Sequence, residues 1–447
     1  MRILHYSLGF PPFRTGALTK FCMDLMKEQA KEGNEVALLW PGKLCHGNKK
    51  TEVRKKDAEK VGEFIIGSFE VINPLPVSYD EGINNIDVFT DEGDEGVYRN
   101  YLTSYMPDVI HIHTLMGLHL AFLKAAKGLG IRLVFTTHDF FPICPKVTLF
   151  RNGCICESAK ECSICPACNG TALSLKKMRL LQSPLYRKMK DTPLVKKLRK
   201  QHRDDYLGER QDAGETVDTI LTPGDYIKLR AYYESMIRLM DIVHYNSNVT
   251  KNVYEEYMGD LNCRVIPISH SDIEDRRKKK EFSDELIRIR YLGPYSSLKG
   301  FFNIKNALDK LWIEKQTFRL DIHFVFENKP EYIRLHERYA YSELESILDD
   351  TDILITPSAG YETFGYTVLE ALSYGVPVIT TCNVGAKDII APGAGIIVND
   401  LSGDELYETV KGLNAEKLQE MNDVILSDQI IIRMSDVAKQ IEEKCYT

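Results

Sequence analysis

The stretch DILITPSAGYETFGYTVLEALSYGVPVITT, residues 352–381, reads as strand, loop, helix and strand in thirty residues. ILIT at 353–356 is a short apolar run of strand length that ends at Pro357. Gly360 and Gly365 bracket a loop, and YTVLEALSY at 366–374 has helical apolar spacing. Gly375 is placed to cap that helix, and Pro377 cannot continue it. PVITT then supplies the next strand. This is one β-α-β step of a parallel sheet covered by helices.

The same rhythm extends outward in both directions. IRIRYLG, a helix from about Phe301, DIHFVFE and GIIV complete one run, and RILHYSL, EVALLW, PDVIHIH, RLVFTTH, DIVHYN and CRVIP form another near the N-terminus. The charged stretch DIEDRRKKKEFSDE at 272–285 separates them. We therefore expect an α/β protein with two doubly wound, Rossmann-like domains facing a cleft, ligands lying at the carboxyl ends of the strands. The expected divisions are 1–272, holding an insertion at about 144–240, then 273–427, and a C-terminal helix over 428–447 that packs back on the first domain. A chain of 447 residues is long enough for two cores.

Composition excludes several classes. With 44% hydrophobic and 27% charged residues and no apolar run near eighteen residues, the chain does not read as membrane-spanning. The N-terminus lacks the pattern of a signal peptide, so a cytoplasmic protein is expected. A net charge of −7 argues against a nucleic-acid binder. Eleven cysteines without an export signal point away from a disulfide framework, toward metal ligands or buried thiols. A nicotinamide enzyme is disfavoured because neither first-strand loop carries G-x-G-x-x-G.

Two carboxylates, Glu362 on the loop and Glu370 inside the helix, flank the helix N-terminus at Gly365, Tyr366 and Thr367. Unpaired N–H groups and the helix dipole favour an anion there. Rise per residue and loop length set the carboxylates on the order of 8 to 14 Å apart, mostly too far for a glycosidase pair. A ligand with hydroxyls at both ends and phosphate between them, a nucleotide sugar, has the matching layout; two ordinary surface acids are the alternative.

PSAGYETFGYTVLEALSYGVPVITT resembles the Glu, seven residues, Glu motif of the family 4 retaining glycosyltransferases of the GT-B fold. The resemblance implies a metal-independent hexosyl transfer from a nucleotide diphosphate sugar, UDP before GDP, to a hydroxyl of a glycan or lipid-linked glycan in envelope or polysaccharide assembly. It assigns the donor sugar to Glu362 and the ribose to Glu370, with Thr363, Phe364, Gly365 and Thr367 lining the sugar and diphosphate. TTHDF places His138 against the donor sugar. YLGPYSSLKG resembles the phosphate-binding loop, with Gly293 and Lys299 in place but Pro294 where arginine is usual. PPFRTGA resembles the glycine-rich loop, with Ala17 in place of its second glycine; Gly16 and His113 fall on the acceptor side. No Asp-x-Asp pair is placed to hold a metal at the diphosphate, and no catalytic cofactor is expected. A sugar phosphorylase or epimerase, and a catalytically silent binding protein, would share these residues.

Six cysteines, Cys144, Cys154, Cys156, Cys162, Cys165 and Cys168, fall within 25 residues. Their paired spacing predicts a closed structural zinc site using four of them. From Lys176 to Arg203 eleven Lys or Arg accompany one acid, Asp191, and are interleaved with Leu180, Leu181, Leu185, Met189, Leu194 and Leu198. That region is either a solvated face or a contact with an anionic membrane, which would make the protein peripheral on the inner face of the membrane.

Overall fold

The structure is a computed structural model and describes residues 1–47, 50–78, 80–157, 160–193, 195–197, 221–400 and 403–447. Leu194, Leu198 and the end of the basic region through Arg203, together with the rest of 198–220, lie outside the described residues.

Sixteen strands are found among the described residues: β1 (Arg2–Tyr6), β2 (Glu35–Pro41), β3 (Glu52–Val61), β4 (Phe64–Ile72), β5 (Val109–Ile112), β6 (Arg132–Thr137), β7 (Phe150–Arg151), β8 (Cys154–Ile155), β9 (Ile242–Tyr245), β10 (Cys263–Val265), β11 (Ile287–Tyr291), β12 (Phe318–Ile322), β13 (Ile333–Leu335), β14 (Ile353–Thr356), β15 (Val378–Thr381) and β16 (Gly395–Val398). The first sheet runs β10-β9-β6-β5-β1-β2-β4-β3 and the second β13-β12-β11-β14-β15-β16. The second sheet is parallel throughout and has the doubly wound order, reversing between β11 and β14. The first sheet repeats that order around β1 and β5. Two Rossmann-like units of one design thus share the chain.

The first sheet is not wholly parallel. β3 pairs antiparallel with β4 at the edge, an element absent from the sequence reading. EVRKKDAEKV is exposed along nearly its whole length and lacks an apolar face. Its charges keep that edge from pairing with another chain.

Apolar residues on both faces of the central strands make the cores. One cluster joins Leu4, Ile110, Ile112, Leu133 and Phe135 to the helices over them. Another runs from Ile3, Phe21 and Val109 through Val368 and Leu372 to Val437 and Ile441, so apolar packing is continuous between the two units. The helix Met434–Ile441 carries this packing: it lies against the helix Ala17–Lys31, and the turn that follows brings Tyr446 beneath the first sheet. The charged stretch after Asp272 is tied down rather than loose. Arg277 donates to the Ile425 and Gln429 carbonyls, and the Lys280 ammonium to that of Leu348.

Candidate active site in the cleft

At the reversal of the second sheet, two loops meet. The one after β11 carries Gly293 and Lys299, and the one after β14 carries Glu362 through Gly365. Gly300 has φ 74°, and a Cβ there would run into the Pro357 carbonyl, so only glycine lets the loops approach this closely. Gly293 packs over the Tyr291 ring, whose hydroxyl donates to the Pro294 carbonyl at 2.8 Å.

These loops join Lys299 to Glu362: Nζ and Oε1 lie 3.0 Å apart, both side chains partly open to solvent. Ser358 Oγ donates to the other Glu362 oxygen at 3.0 Å. The Glu362 backbone is held between Asn383 and Gly385, which fixes the carboxylate from behind. Gly365, at φ 105°, opens the helix Tyr366–Ser373, and Thr367 lies half-buried in its first turn. Phe364 is buried and belongs to the core, so it contributes only backbone to the cleft. Thr363 faces the other unit: its hydroxyl donates to the His138 carbonyl at 3.1 Å, and its own carbonyl accepts from Ser247 Oγ at 2.6 Å.

Glu370 is buried one helical turn further on. Its Oε1 lies 3.2 Å from His270 Nε2, and the His270 ring stands edge-on to Tyr341 and Tyr366. Neither His270 nor Ser358 was singled out from sequence. The histidine follows the strand segment CRVIP at the end of the first run, and its partner lies 100 residues further along the chain.

On the opposite wall, His138 follows β6 directly. Burial depresses its imidazole to about 3, so it is neutral. Next to it, burial raises the Asp139 carboxyl to about 6 despite a hydrogen bond from the Phe141 amide. His113 Nδ1 lies 3.3 Å from His138 Nε2, placing His113 behind His138. Gly16 caps the helix Ala17–Lys31 at φ 112°, with open space where a Cβ would stand.

Nitrogens of His5, His111 and His113 cluster within 4.8 Å of one another, but both nitrogens of each ring are already in hydrogen bonds. That trio is a hydrogen-bonded stack rather than a vacant metal site. The cysteines do not form such a group: among the described residues, no three of their sulfurs lie within 4.8 Å of one another. Cys144, Cys156, Cys165 and Cys168 line one small cavity beside β7. Cys162 turns to Arg230, whose Nη2 donates to its sulfur at 3.1 Å, and Cys154 is exposed and donates to the Arg151 carbonyl. All eleven cysteines are reduced.

The basic region also divides. Lys176, Lys177, Lys188, Lys196 and Lys197 are exposed, as are Leu180, Leu185 and Met189. Arg187 instead stacks on Trp40 and Phe13, and Lys190 donates to the Pro12 carbonyl, so both are spent on packing. No helix among the described residues is long and apolar enough to cross a membrane.

Two Rossmann-like units facing a cleft, with a basic residue and a glutamate at the strand ends of one and a neutral histidine at those of the other, define a GT-B protein. Family comparison agrees: residues 18–155 match the model for Glycosyltransferase Family 4 and residues 317–415 that for Glycosyl transferases group 1. The chain belongs to the family 4 glycosyltransferases. A protein of a cps region of Klebsiella pneumoniae is 29% identical over 135 residues, 29% of this chain and 37% of that one. Sucrose synthase 2 of Oryza sativa subsp. japonica is 36% identical over 172 residues, 38% of this chain and 18% of it. The chain thus spans well under half the length of these curated relatives. Among solved structures, Anabaena Alr3699/HepE in complex with UDP and glucose matches at TM-score 0.55 and 13% identity, covering 99% of this chain and 98% of that one. Sucrose-phosphate synthase from Thermosynechococcus elongatus matches at 0.55 and 11%, covering 99% and 97%. At such identities these structures speak for the fold alone.

Proposed function

We propose that the protein is a retaining, metal-independent glycosyltransferase that moves a sugar from a UDP-sugar to a hydroxyl of a glycan or lipid-linked glycan in envelope or polysaccharide assembly. The observation that carries this reading is the Lys299–Glu362 pair at the mouth of the helix Tyr366–Ser373. A diphosphate there would meet the Lys299 ammonium and the first N–H groups of the helix, and would take Lys299 from Glu362. The freed carboxylate accepts hydrogen bonds from sugar hydroxyls, and Glu370, held by His270, faces the ribose. Departing diphosphate then carries its charge into this positive corner and takes the acceptor proton, so the chain supplies orientation and charge stabilisation rather than a nucleophile. The UDP and glucose bound by HepE, and the K. pneumoniae relative from a cps region, support this choice of donor and setting.

Metal independence has support of its own. The chain's Asp-x-Asp run, Asp350-Thr351-Asp352, lies before β14 at the end of the sheet away from the cleft. Both carboxylates are held there by Arg288. Incubation with UDP-, GDP-, ADP- and dTDP-sugars and an acceptor, with and without EDTA, is the test. Release of UDP undiminished by EDTA, with the anomeric configuration kept in the product, is expected. Free epimer or sugar phosphate without acceptor would favour the epimerase or phosphorylase reading, and no binding of any nucleoside diphosphate the silent one.

A structural zinc would draw on four of Cys144, Cys154, Cys156, Cys162, Cys165 and Cys168; Cys144, Cys156, Cys165 and Cys168 line one cavity, but no three of these sulfurs lie within 4.8 Å of one another, so binding would have to draw the thiols together. About one zinc per chain by elemental analysis is expected; no metal, with Cys165→Ser leaving stability unchanged, would refute it. The exposed lysines and apolar residues of 176–197 adjoin the loop before Gly16 through Lys190 and Arg187. A membrane contact there would present a lipid-linked acceptor to the cleft. Salt-sensitive sedimentation with anionic liposomes is expected, and equal binding to neutral ones would refute the electrostatic part.

A further inference from the structure

An unbroken run of hydrogen bonds crosses the first unit from the Ile266 carbonyl to His138, and the direction of every bond in it is determined. A carbonyl can only accept, so His244 Nε2, 2.7 Å from the Ile266 oxygen, carries a proton. His244 is wholly buried, which lowers its imidazole to about 4, so the ring is neutral and its Nδ1 is bare. Thr136 Oγ1, 2.8 Å away, must donate to that nitrogen, and its single proton is then spent. It accepts in turn from His111 Nε2 at 2.6 Å. Burial keeps His111 neutral as well, so its Nδ1 accepts from the Tyr446 hydroxyl at 2.6 Å.

With its proton committed, the Tyr446 oxygen accepts from Gln29 Nε2 at 2.9 Å. That orients the Gln29 amide, whose Oε1 faces His5 Nε2 at 2.7 Å and requires a proton on that nitrogen. His5, neutral through burial, presents a bare Nδ1 to His113 Nε2 at 3.0 Å. His113, neutral for the same reason, presents its Nδ1 to His138 Nε2 at 3.3 Å. The proton therefore sits on His138 Nε2. His138 Nδ1 has no protein partner among the described residues, and the ring is only partly buried.

We infer that Tyr446, acting through Gln29, His5 and His113, is a positioning residue that fixes His138 in its Nε2-protonated form, so that His138 offers a ligand only the lone pair of Nδ1. A group bound at that nitrogen must bring its own proton, as a hydroxyl of a donor sugar does. A phosphate oxygen, which can only accept, is turned away toward Lys299. The ligand assignment rests on the donor-site reading above; the proton pattern does not. The C-terminal turn is thus coupled to the cleft although it touches no substrate.

The test is a long-range proton–nitrogen correlation on full-length, ligand-free protein labelled with 15N-histidine, each ring assigned by single substitution. All five rings, His5, His111, His113, His138 and His244, should carry their proton on Nε2. Tyr446→Phe removes the constraint on the Gln29 amide, and a second tautomer should appear at His138 while His244, anchored by the Ile266 carbonyl, is unchanged. Gln29→Met should do the same with Tyr446 intact, and the unchanged His244 signal reports that either variant has folded. Turnover of the UDP-sugar by Tyr446→Phe should fall roughly tenfold, the worth of about one hydrogen bond. A proton on His138 Nδ1 in the unaltered protein, or a single tautomer surviving both substitutions, would overturn the inference. The expected proton pattern without turnover of any nucleotide sugar would sustain it and refute the donor-site reading instead.

Discussion

The two sheets share one winding order but solve the problem of buried polarity in opposite ways. In the first, the polar groups on the central strands are neutral: His5, His111 and His244 sit there and pass single protons along a chain, while the buried carboxylates Asp24 and Glu70 lie off it in ion pairs. In the second they are charged. Arg290 and Asp321, both buried, lie 3.8 Å apart, with Arg319 and His336 also on Asp321 and Arg288 clamped on Asp352. A neutral chain can hold a tautomer and therefore a direction, whereas an ion-pair network holds position. The unit that presents a histidine to the cleft uses the first device, and the unit that presents a lysine and a glutamate uses the second.

Acid should separate the two units most. Burial lowers His5, His119 and His244 to about 4 and His138 to about 3, with His111 and His113 lower than usual as well. These folded values lie below the unfolded value of about 6.5, so between the two the unfolded chain binds more protons. The stability they contribute is present above pH 6.5 and lost as pH falls, by up to about 1.4 kcal/mol per pH unit per ring. Asp350, where the pull of Arg319 and Arg288 outweighs burial, costs the second unit nothing until pH approaches the unfolded carboxylate value near 4, so only the half-exposed His323, lowered by burial, follows the first unit's histidines there. The two tryptophans report the units separately, Trp40 on β2 and Trp312 beside Phe318 and Tyr332. Between pH 7 and 5 the urea midpoint of Trp312→Phe, read through Trp40, should drop sharply, and that of Trp40→Phe should move little. Equal shifts would break the contrast.

Removing a charge tests the second unit from the other side. Asp321→Ala takes the buried carboxylate from Arg290, leaving it only the more exposed Asp350 at 3.7 Å, and should cost about 3–5 kcal/mol, seen through Trp312 far more than through Trp40. A loss below about 1 kcal/mol would mean that Asp350, through its carboxylate and carbonyl, and Thr351 satisfy Arg290 without Asp321.

A smaller effect of opposite sign is expected at Asp139, a carboxyl in the neutral unit. Its folded value, raised to about 6, exceeds the unfolded one, so its stability contribution is present at low pH and lost as pH rises from about 4 through 6. Asp139→Asn should therefore stabilise by about 1–3 kcal/mol at pH 8 and hardly at all at pH 4. No gain at pH 8 would show that the carboxylate has solvent enough to ionise freely.

The contrast also explains what could be read in the sequence. Glu362, Gly365, Glu370 and Lys299 lie in short segments whose own spacing fixes strand, loop and helix, so their places in the fold were legible locally. The charged edge strand β3 was not, because EVRKKDAEKV has no apolar alternation to mark it. The histidine chain was invisible for a different reason. Its links join residues 22 to 417 positions apart, and a histidine inside an apolar run such as VIHI looks the same whether it is a core residue or a relay. The inward turn of Arg187 and Lys190 was hidden too, since a run of like charges carries no sign of which members will find an aromatic face or a carbonyl.

The central claim, that one cleft binds sugar at Glu362 and nucleotide at Glu370, meets its most direct test in a paired comparison of Glu362→Ala and Glu370→Ala, measuring UDP affinity and turnover of the UDP-sugar for each. Glu362→Ala is expected to bind UDP with near-normal affinity and lose transfer by at least about a hundredfold, while Glu370→Ala weakens UDP binding roughly tenfold and keeps most of its turnover at saturating donor. Near-normal turnover in Glu362→Ala, or UDP affinity unchanged in Glu370→Ala, would contradict it.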